Sequence, residues 1–319
     1  MEIVRESITI IVPTFNEEKS LRECFYALNE LTLEISKIGL AEIFILFSDN
    51  FSSDGTWQML RNVCDKNETW DAVQLDRNYG IQASLLKAMS ISKTDSVLIF
   101  QSDLQDPIDT AVGLVRKWRD GADVVVGLTE SRSENFLDRF GRSLFYRVLT
   151  KTSDFGLQPW LHDFYVLDKR VYARLFRQGF SHQFIRGRLS EEFGIDASIS
   201  YARLPRNEGD SSFNFARKYS LALDGVLRYG SRIARWMNLF SFLISSSSLF
   251  IAVALLVSWL FGYRSSSQGW VSLMTLNLIL LAFVGFMMSL IFEFLFRILR
   301  TLESNDTPVI YRSTNNDLK

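Results

Sequence analysis

Cysteine and histidine are nearly missing from this 319-residue sequence, with two of each. Cys24 and Cys64 lie 40 positions apart, with no Cys-x-x-Cys and no Cys/His spacing. That argues against a zinc site or a disulfide scaffold, and both read as small buried apolar residues. Neither sign of charge is in excess: 35 Lys and Arg stand against 36 Asp and Glu, a net charge of -1. Such a body lacks the electrostatic footprint of nucleic-acid binding, so no nucleic-acid partner is expected and a charged ligand must be met locally. With 47% hydrophobic and 13% aromatic residues, disorder and low-complexity repeats are excluded. Met1 to Ser7 carries three charges and no apolar run, so no secretory signal is expected.

A second absence divides the chain. No charged residue occurs in the 28 positions between Arg235 and Arg264, or in the 28 between Arg264 and Glu293. At ~1.5 Å rise per residue such a stretch reaches ~42 Å as a helix, against a hydrocarbon core of ~30 Å. Two transmembrane helices are predicted, at about 239–261 and 270–292. A buried soluble hairpin would need a further apolar layer to cover it, and nothing upstream is that hydrophobic. Trp236, Trp259, Tyr263 and Trp270 fall near the predicted interfaces, as aromatic belts do. The run Ser245 to Ser248 is tolerated where helices pack closely. Arg228, Arg232, Arg235, Arg297 and Arg300 flank the pair and outweigh Arg264, which predicts a multi-pass protein of the cytoplasmic (inner) membrane with both termini in the cytoplasm.

Upstream, short β-rich apolar runs alternate with helical patterns. Strands are predicted at Ile8 to Val12, Glu42 to Phe47, Ala72 to Leu75, Ser96 to Phe100 and Asp123 to Val126. Amphipathic helices are predicted at Glu18 to Leu31, Asp54 to Cys64, Ile81 to Ile91 and Asp109 to Trp118. The expectation is a parallel, doubly wound α/β sheet, with ligand outside the carboxyl ends of its strands.

Those ends hold the most unusual polar residues: Pro13-Thr14-Phe15-Asn16-Glu17-Glu18 after the first strand, Asp49-Asn50-Phe51-Ser52-Ser53-Asp54-Gly55-Thr56 after the second, and Gln101-Ser102-Asp103-Leu104-Gln105-Asp106-Pro107 after the fourth. With Arg77-Asn78-Tyr79-Gly80 between them, these segments resemble the family 2 inverting glycosyltransferases of GT-A (Rossmann-like) fold. More narrowly, with the paired spans, the chain from Ile8 to Tyr311 is similar to the polyprenyl-phosphate glycosyltransferases, such as dolichyl-phosphate mannose synthases and bacterial undecaprenyl-phosphate glucosyltransferases.

The resemblance implies roles. Asp49 would hydrogen-bond the base of a nucleotide-sugar donor, Pro13, Phe15 and Glu17 would enclose its base and ribose, and Arg77 and Arg206 would meet its diphosphate. Asp103 and Gln105, with Gln101 beside them, would hold a divalent metal, Mn²⁺ or Mg²⁺, to neutralise the leaving diphosphate. The family commonly has Asp-x-Asp here, whereas this chain has Gln101-x-Asp103; an amide oxygen brings no charge, so weaker metal binding is expected. Asn50 and Phe51 stand where the family usually has Asp and Gly. Apart from any donor, Asp106 and Pro107 also suit the start of the following helix, and Asp54-Gly55-Thr56 suits a cap.

The acceptor side is basic. Arg132, Arg139, Arg142 and Arg147 fall in or beside the amphipathic stretch Glu134 to Lys151, which could lie in a membrane interface, and guanidinium groups suit a lipid phosphate. By resemblance Arg132, Arg139 and Ser143 would hold the acceptor phosphate. His162-Asp163-Phe164 resembles the segment carrying the candidate catalytic base, Asp163. A phosphate monoester is largely dianionic near neutral pH, so orienting the acceptor or the sugar is an alternative role for Asp163. The basic stretch Phe213 to Trp236 suits anionic headgroups.

The reading is a GT-A domain over 1–210, juxtamembrane amphipathic helices over 211–236, two transmembrane helices within 237–296 and a cytoplasmic tail over 297–319. The implied enzyme moves one sugar from a UDP- or GDP-sugar to a polyprenyl phosphate for cell-envelope glycan or glycoconjugate synthesis, and such relatives often form homo-oligomers. Two alternatives stay open: a polysaccharide acceptor, and a catalytically silent membrane binding or assembly module.

Overall fold

The segment Ser7–Thr14 forms β1 and is buried along its whole length. A strand covered on both faces needs a continuous apolar run rather than an alternation, and Ile8, Ile10, Ile11 and Val12 supply it. In the computed structural model, which describes residues 6–129, 161–177, 185–204, 231–261, 270–304 and 307–315, β1 is the centre of a parallel group. It pairs with β2 (Glu42–Asp49) and β4 (Ser96–Ile99), and β2 pairs with β3 (Trp70–Leu75). Carboxyl ends of successive parallel strands therefore come to one edge.

The remaining strands correct the expectation of a parallel sheet. Among the described residues the order is β7-β5-β6-β4-β1-β2-β3-β8, with β5 at Val124–Thr129, β6 at Leu161–Asp168, β7 at Ala197–Tyr201 and β8 at Ile310–Ser313. β6 enters antiparallel to both β4 and β5, and β8 is antiparallel to β3. The sheet is mixed because β6 enters between β4 and β5 in the reverse direction. Residues 310–313, read from sequence within a tail, are an edge strand. Ala72 and Thr314 extend the pairing: the Ala72 amide donates to Thr314 Oγ1 at 2.8 Å, and the Thr314 amide to the Ala72 carbonyl at 3.0 Å.

Helices cover both faces, as a doubly wound arrangement requires. On one face α1 (Leu21–Lys37), α2 (Thr56–Cys64) and α4 (Ile108–Arg119) pack through Leu28, Leu60, Trp118 and both cysteines. On the other lie α3 (Ile81–Ile91), α5 (Lys169–Arg177) and the short α6 (Ile185–Arg188), which continues as a π turn, Leu189–Phe193. The first helix starts three residues later and ends six later than its sequence pattern suggested. Its buried stripe Leu21, Cys24, Leu28, Leu31 and Ile35 runs on to Ile35, and Ser20 Oγ turns back to the Glu17 carboxylate at 2.6 Å. Nor does Asp106 cap α4: its carboxylate accepts a hydrogen bond from the Tyr201 hydroxyl at 2.6 Å, and Pro107 takes the cap position.

Packing divides the chain into two units, one holding the sheet and its helices, the other holding α7 (Ser231–Leu260) and nearly all of α8 (Trp270–Ser304). Both helices are long and apolar enough to cross a membrane, over Leu239–Ser258 and Ser272–Leu295. Their buried positions are small or polar: Ser245, Ser248 and Ala252 on α7, Thr275 and Ala282 on α8. Spacings of three and four residues on α7, and of seven on α8, place them on one stripe of each helix. The Ser245 hydroxyl donates to the Ala282 carbonyl, and Gly285 lies against Ser241 and Ser245. The bulky side chains point outward, Phe240, Phe250, Leu276 and Phe283 among them.

The stretch Glu134 to Lys151, with Arg139, Arg142, Ser143 and Arg147, lies outside the described residues, as do Arg132, Arg206, His182 and most of Phe213 to Trp236.

Candidate active site

Three loops leave the carboxyl edge after β1, β2 and β4, and each turns through one non-glycine residue of positive φ: Asn16 at 56°, Phe51 at 67° and Leu104 at 53°. Such turns are strained for bulky side chains, and the β1 and β2 loops tie one another down. The Asn16 amide donates to Ser52 Oγ at 2.9 Å, and Ser53 N donates to Asn16 Oδ1 at 2.8 Å. Glu17 N donates to Thr56 Oγ1 at 2.9 Å and Gly55 N to Glu18 Oε2 at 2.9 Å. Asp54 accepts from Thr56 N at 3.0 Å, at the start of α2.

Between these loops lies a cleft of about 830 Å³, lined by Pro13, Phe15, Glu17, Gln101 and Asp103 together with Asn50, Ile81 and Ser84. Five predicted site residues therefore share one concave surface. Asp49, Arg77, Gln105 and Asp163 are not among its lining. Asp49 is fully buried beneath the loop. Its carboxylate accepts from Gln74 Nε2 at 2.6 Å and from the Ser52 hydroxyl. Burial pushes its pKa above the ordinary 3.8, against the opposing pull of the Ser52 and Gln74 hydrogen bonds. Arg77 stacks over the Tyr79 ring, 4.7 Å from its centroid. The β3–α3 loop that carries it is fastened by Asn50, whose Nδ2 donates to Asn78 Oδ1 at 2.7 Å and whose Oδ1 accepts from Tyr79 N at 3.0 Å. Gly80 begins α3 at φ +83°, a conformation that glycine adopts freely.

Asp163 comes beside the cleft residue Gln101 because β6 runs backwards. Its amino end lies beyond the carboxyl end of β4, and there Gln101 Nε2 donates to the Asp163 carbonyl at 3.1 Å. The Asp163 carboxylate accepts from Gln82 Nε2 at 2.8 Å and faces Arg186 Nε at 3.4 Å. Gln82 Oε1 in turn accepts from Ile185 N at 3.2 Å, so one glutamine ties α3, β6 and α6 together. Asp103 accepts from Gln105 N at 3.2 Å and stands 3.5 Å from Arg203 Nη2. Burial likewise raises the pKa of Asp106, opposed by its Tyr201 hydrogen bond and by Arg203.

Gln74, Gln82 and Arg186 were not singled out from sequence, and Arg203 was read only as the start of the segment that carries Arg206. Gln82, in the first turn after Gly80 at the edge where ligands bind, carried the one local signal. The others meet the site only through strand order.

The donor set for a metal is thin. Asp103 is the single carboxylate of the proposed triad, Gln101 turns its amide nitrogen toward β6, and Gln105 is buried. Among the described residues no group of three or more His, Cys, Asp or Glu side chains could hold a metal ion. With the Arg203 guanidinium already at Asp103, the arrangement as it stands does not fit a divalent ion.

The fold is a mixed α/β sheet with its cleft at the carboxyl edge of the parallel strands. The family model "Glycosyl transferase family 2" matches residues 9–177, more than half of the chain, and the chain belongs to that family. It is a glycosyltransferase. It is similar to the bactoprenol glucosyl transferase of Shigella phage SfV, 28% identical over 80% of this chain and 82% of that protein. It is also similar to the uncharacterized glycosyltransferase YkcC of Bacillus subtilis, 24% identical over 94% and 91%. Among solved structures it resembles glucosyl-3-phosphoglycerate synthase from Mycobacterium tuberculosis in complex with UDP, with TM-score 0.46, 18% identity and coverage of 71% and 80%. A second is the mannosyltransferase PcManGT from Pyrobaculum calidifontis in complex with GDP-Man and Mn²⁺, with TM-score 0.43, 16% identity and coverage of 89% and 88%.

Proposed function

We propose that this chain is an inverting glycosyltransferase that moves one sugar from a nucleotide-sugar to a polyprenyl phosphate at the cytoplasmic face of a membrane. The observation that carries this reading is the cleft at the ends of β1, β2 and β4, which gathers Pro13, Phe15, Glu17, Gln101 and Asp103 in a family 2 chain that also has two membrane-length helices. The name of the phage relative, a bactoprenol glucosyl transferase, supports a prenyl-lipid acceptor.

In this reading Phe15 covers the base, Asp49 and Arg77 frame the nucleotide from behind the loop, and Asp103 faces the diphosphate. An acceptor phosphate oxygen attacks C1 of the sugar from the side opposite the diphosphate. The bond from C1 to the diphosphate oxygen breaks and the nucleoside diphosphate leaves with its electron pair, giving a polyprenyl phosphosugar with inverted C1. Asp163, held by Gln82 and Arg186, accepts the proton of a singly protonated acceptor phosphate and orients it. Arg132, Arg139 and Ser143 hold that phosphate, and Arg206 meets the donor diphosphate. The helices α7 and α8 insert in the bilayer with both termini cytoplasmic, keep the domain at the lipid surface and support a homo-oligomer. No step is routed through a metal.

The test is radiolabelled sugar transfer from UDP- and GDP-sugars to undecaprenyl phosphate in detergent, with and without Mn²⁺ or Mg²⁺. An organic-extractable product is expected from the wild type, with at least about a 100-fold loss in Asp103→Ala. Label appearing only in a polysaccharide, or full turnover by that variant, would overturn the reading.

A further inference from the structure

Asp103, which lines the cleft, has a guanidinium beside it. Arg203 follows β7, and its guanidinium lies 3.5 Å from Asp103 Oδ2 through Nη2 and 3.6 Å from Asp106 Oδ1 through Nε. It is held there from both sides. The Leu204 amide after it donates to the Gln105 carbonyl at 2.9 Å, and Tyr201 before it donates its hydroxyl to Asp106. Tyr201 is itself seated edge-on against Phe164, at 5.3 Å between centroids, and Phe164 against Phe100 at 6.4 Å. Three strands thus position one guanidinium, three-quarters buried, beside the carboxylate that the family resemblance assigns to a metal.

The charges at this point decide what the site can neutralise. A divalent ion on one carboxylate and amide oxygens has lost the anionic ligand that most favours it, since Gln101 carries no charge. A guanidinium is charged at every working pH, and its planar fork matches two phosphate oxygens. A guanidinium 3.5 Å from Asp103 Oδ2 competes with a metal ion for that carboxylate.

We propose that Arg203 is the resident cation of the donor site. It is anchored by Asp103 and Asp106 while the cleft is empty, and it binds the diphosphate of the nucleotide in the place a metal would otherwise take. The proposal rests on the nucleotide-sugar reading above. It makes Arg203 a donor-binding residue and makes nucleotide binding largely independent of divalent ions.

The experiment uses the full chain in detergent. UDP and GDP affinities are measured by calorimetry in EDTA and in Mn²⁺, and Mn²⁺ affinity alone is measured by electron paramagnetic resonance, for the wild type, Arg203→Ala, Arg203→Gln and Arg203→Lys. The wild type should bind its nucleotide in EDTA within about threefold of its affinity in Mn²⁺, and Arg203→Ala should lose about tenfold or more in EDTA. Without nucleotide, Mn²⁺ should bind Arg203→Ala about tenfold more tightly than the wild type, because Asp103 is released. Arg203→Gln, which keeps the volume, should behave as Arg203→Ala, and Arg203→Lys should restore most of the binding in EDTA. Nucleotide bound normally by Arg203→Ala in EDTA, or equal Mn²⁺ affinities for wild type and variant, would overturn the role of Arg203 alone. A wild type that binds neither UDP nor GDP in any condition would overturn the nucleotide reading itself and the diphosphate role with it.

Discussion

Asp163 shows how a single side chain at this site depends on neighbours that sequence spacing does not announce. Its carboxylate meets one neutral donor, Gln82, and one cation, Arg186. Gln82→Ala removes a hydrogen bond, whereas Gln82→Glu sets a second carboxylate against the first. Transfer should fall about tenfold in the first variant and about 100-fold in the second, measured as kcat/KM; equal losses would mean that Gln82 matters only for packing. Asp49 makes a stability argument of its own. Because burial raises its pKa above 3.8, the folded chain binds this proton more tightly than the unfolded chain does. Its contribution is therefore fully present below about pH 3.8 and is lost as pH rises through the raised value. Asp49→Asn should show a shallower decline in unfolding midpoint from pH 4 to 7 than the wild type. The two thiols agree with their reading as buried groups: burial pushes both Cys24 and Cys64 up to about 12.

Elements that carry their own period were legible in the sequence. The helix Ile81–Ile91 is bounded where the pattern placed it, and the first five strands lie where apolar runs met turn residues. β6 and β7 were not read as strands, because Leu161–Asp168 carries Asp163 inside an apolar run and Ala197–Tyr201 alternates over only five residues. Of the site, the strand-end residues of β1 and β4 were legible because sheet topology alone brings them to one edge. Gln74 was not, since it meets Asp49 only through the β2–β3 register, and Arg186 and Arg203 were not, since their contacts depend on the reversed β6 and on the segments around it. The β2 loop contains a conflict between residue and conformation. Phe51 sits at φ +67°, where a side chain costs roughly 1–2 kcal/mol. At this position glycine should be more stable than alanine by ~1 kcal/mol, the reverse of the usual order, and thermal denaturation of Phe51→Gly and Phe51→Ala in detergent would check it. Alanine as the more stable of the two would show that the loop relaxes out of that turn.

At the scale of the whole molecule, the helical unit stands on contacts of small side chains. A Cβ on Gly285 would lie 3.8 Å from Ser245 Oγ and 3.9 Å from the Ser241 carbonyl, an ordinary contact, whereas a leucine needs space that the opposing helix occupies. Gly285→Ala should leave the thermal midpoint nearly unchanged and Gly285→Leu should cost about 1–3 kcal/mol. Equal midpoints would show that α7 and α8 do not depend on this contact. The sheet unit depends on distant parts of the chain in another way. β3 ends at Leu75, and the strand that covers its edge, Ile310–Ser313, follows both long apolar helices in the sequence. During synthesis the ribosome makes β1 to β4 early, but β3 must wait with an open edge until both helices have been translated. An unpaired edge is a template for pairing with other chains, so the interval before β8 emerges is when a nascent chain is most exposed to aggregation, and speed of elongation through the helices sets its length.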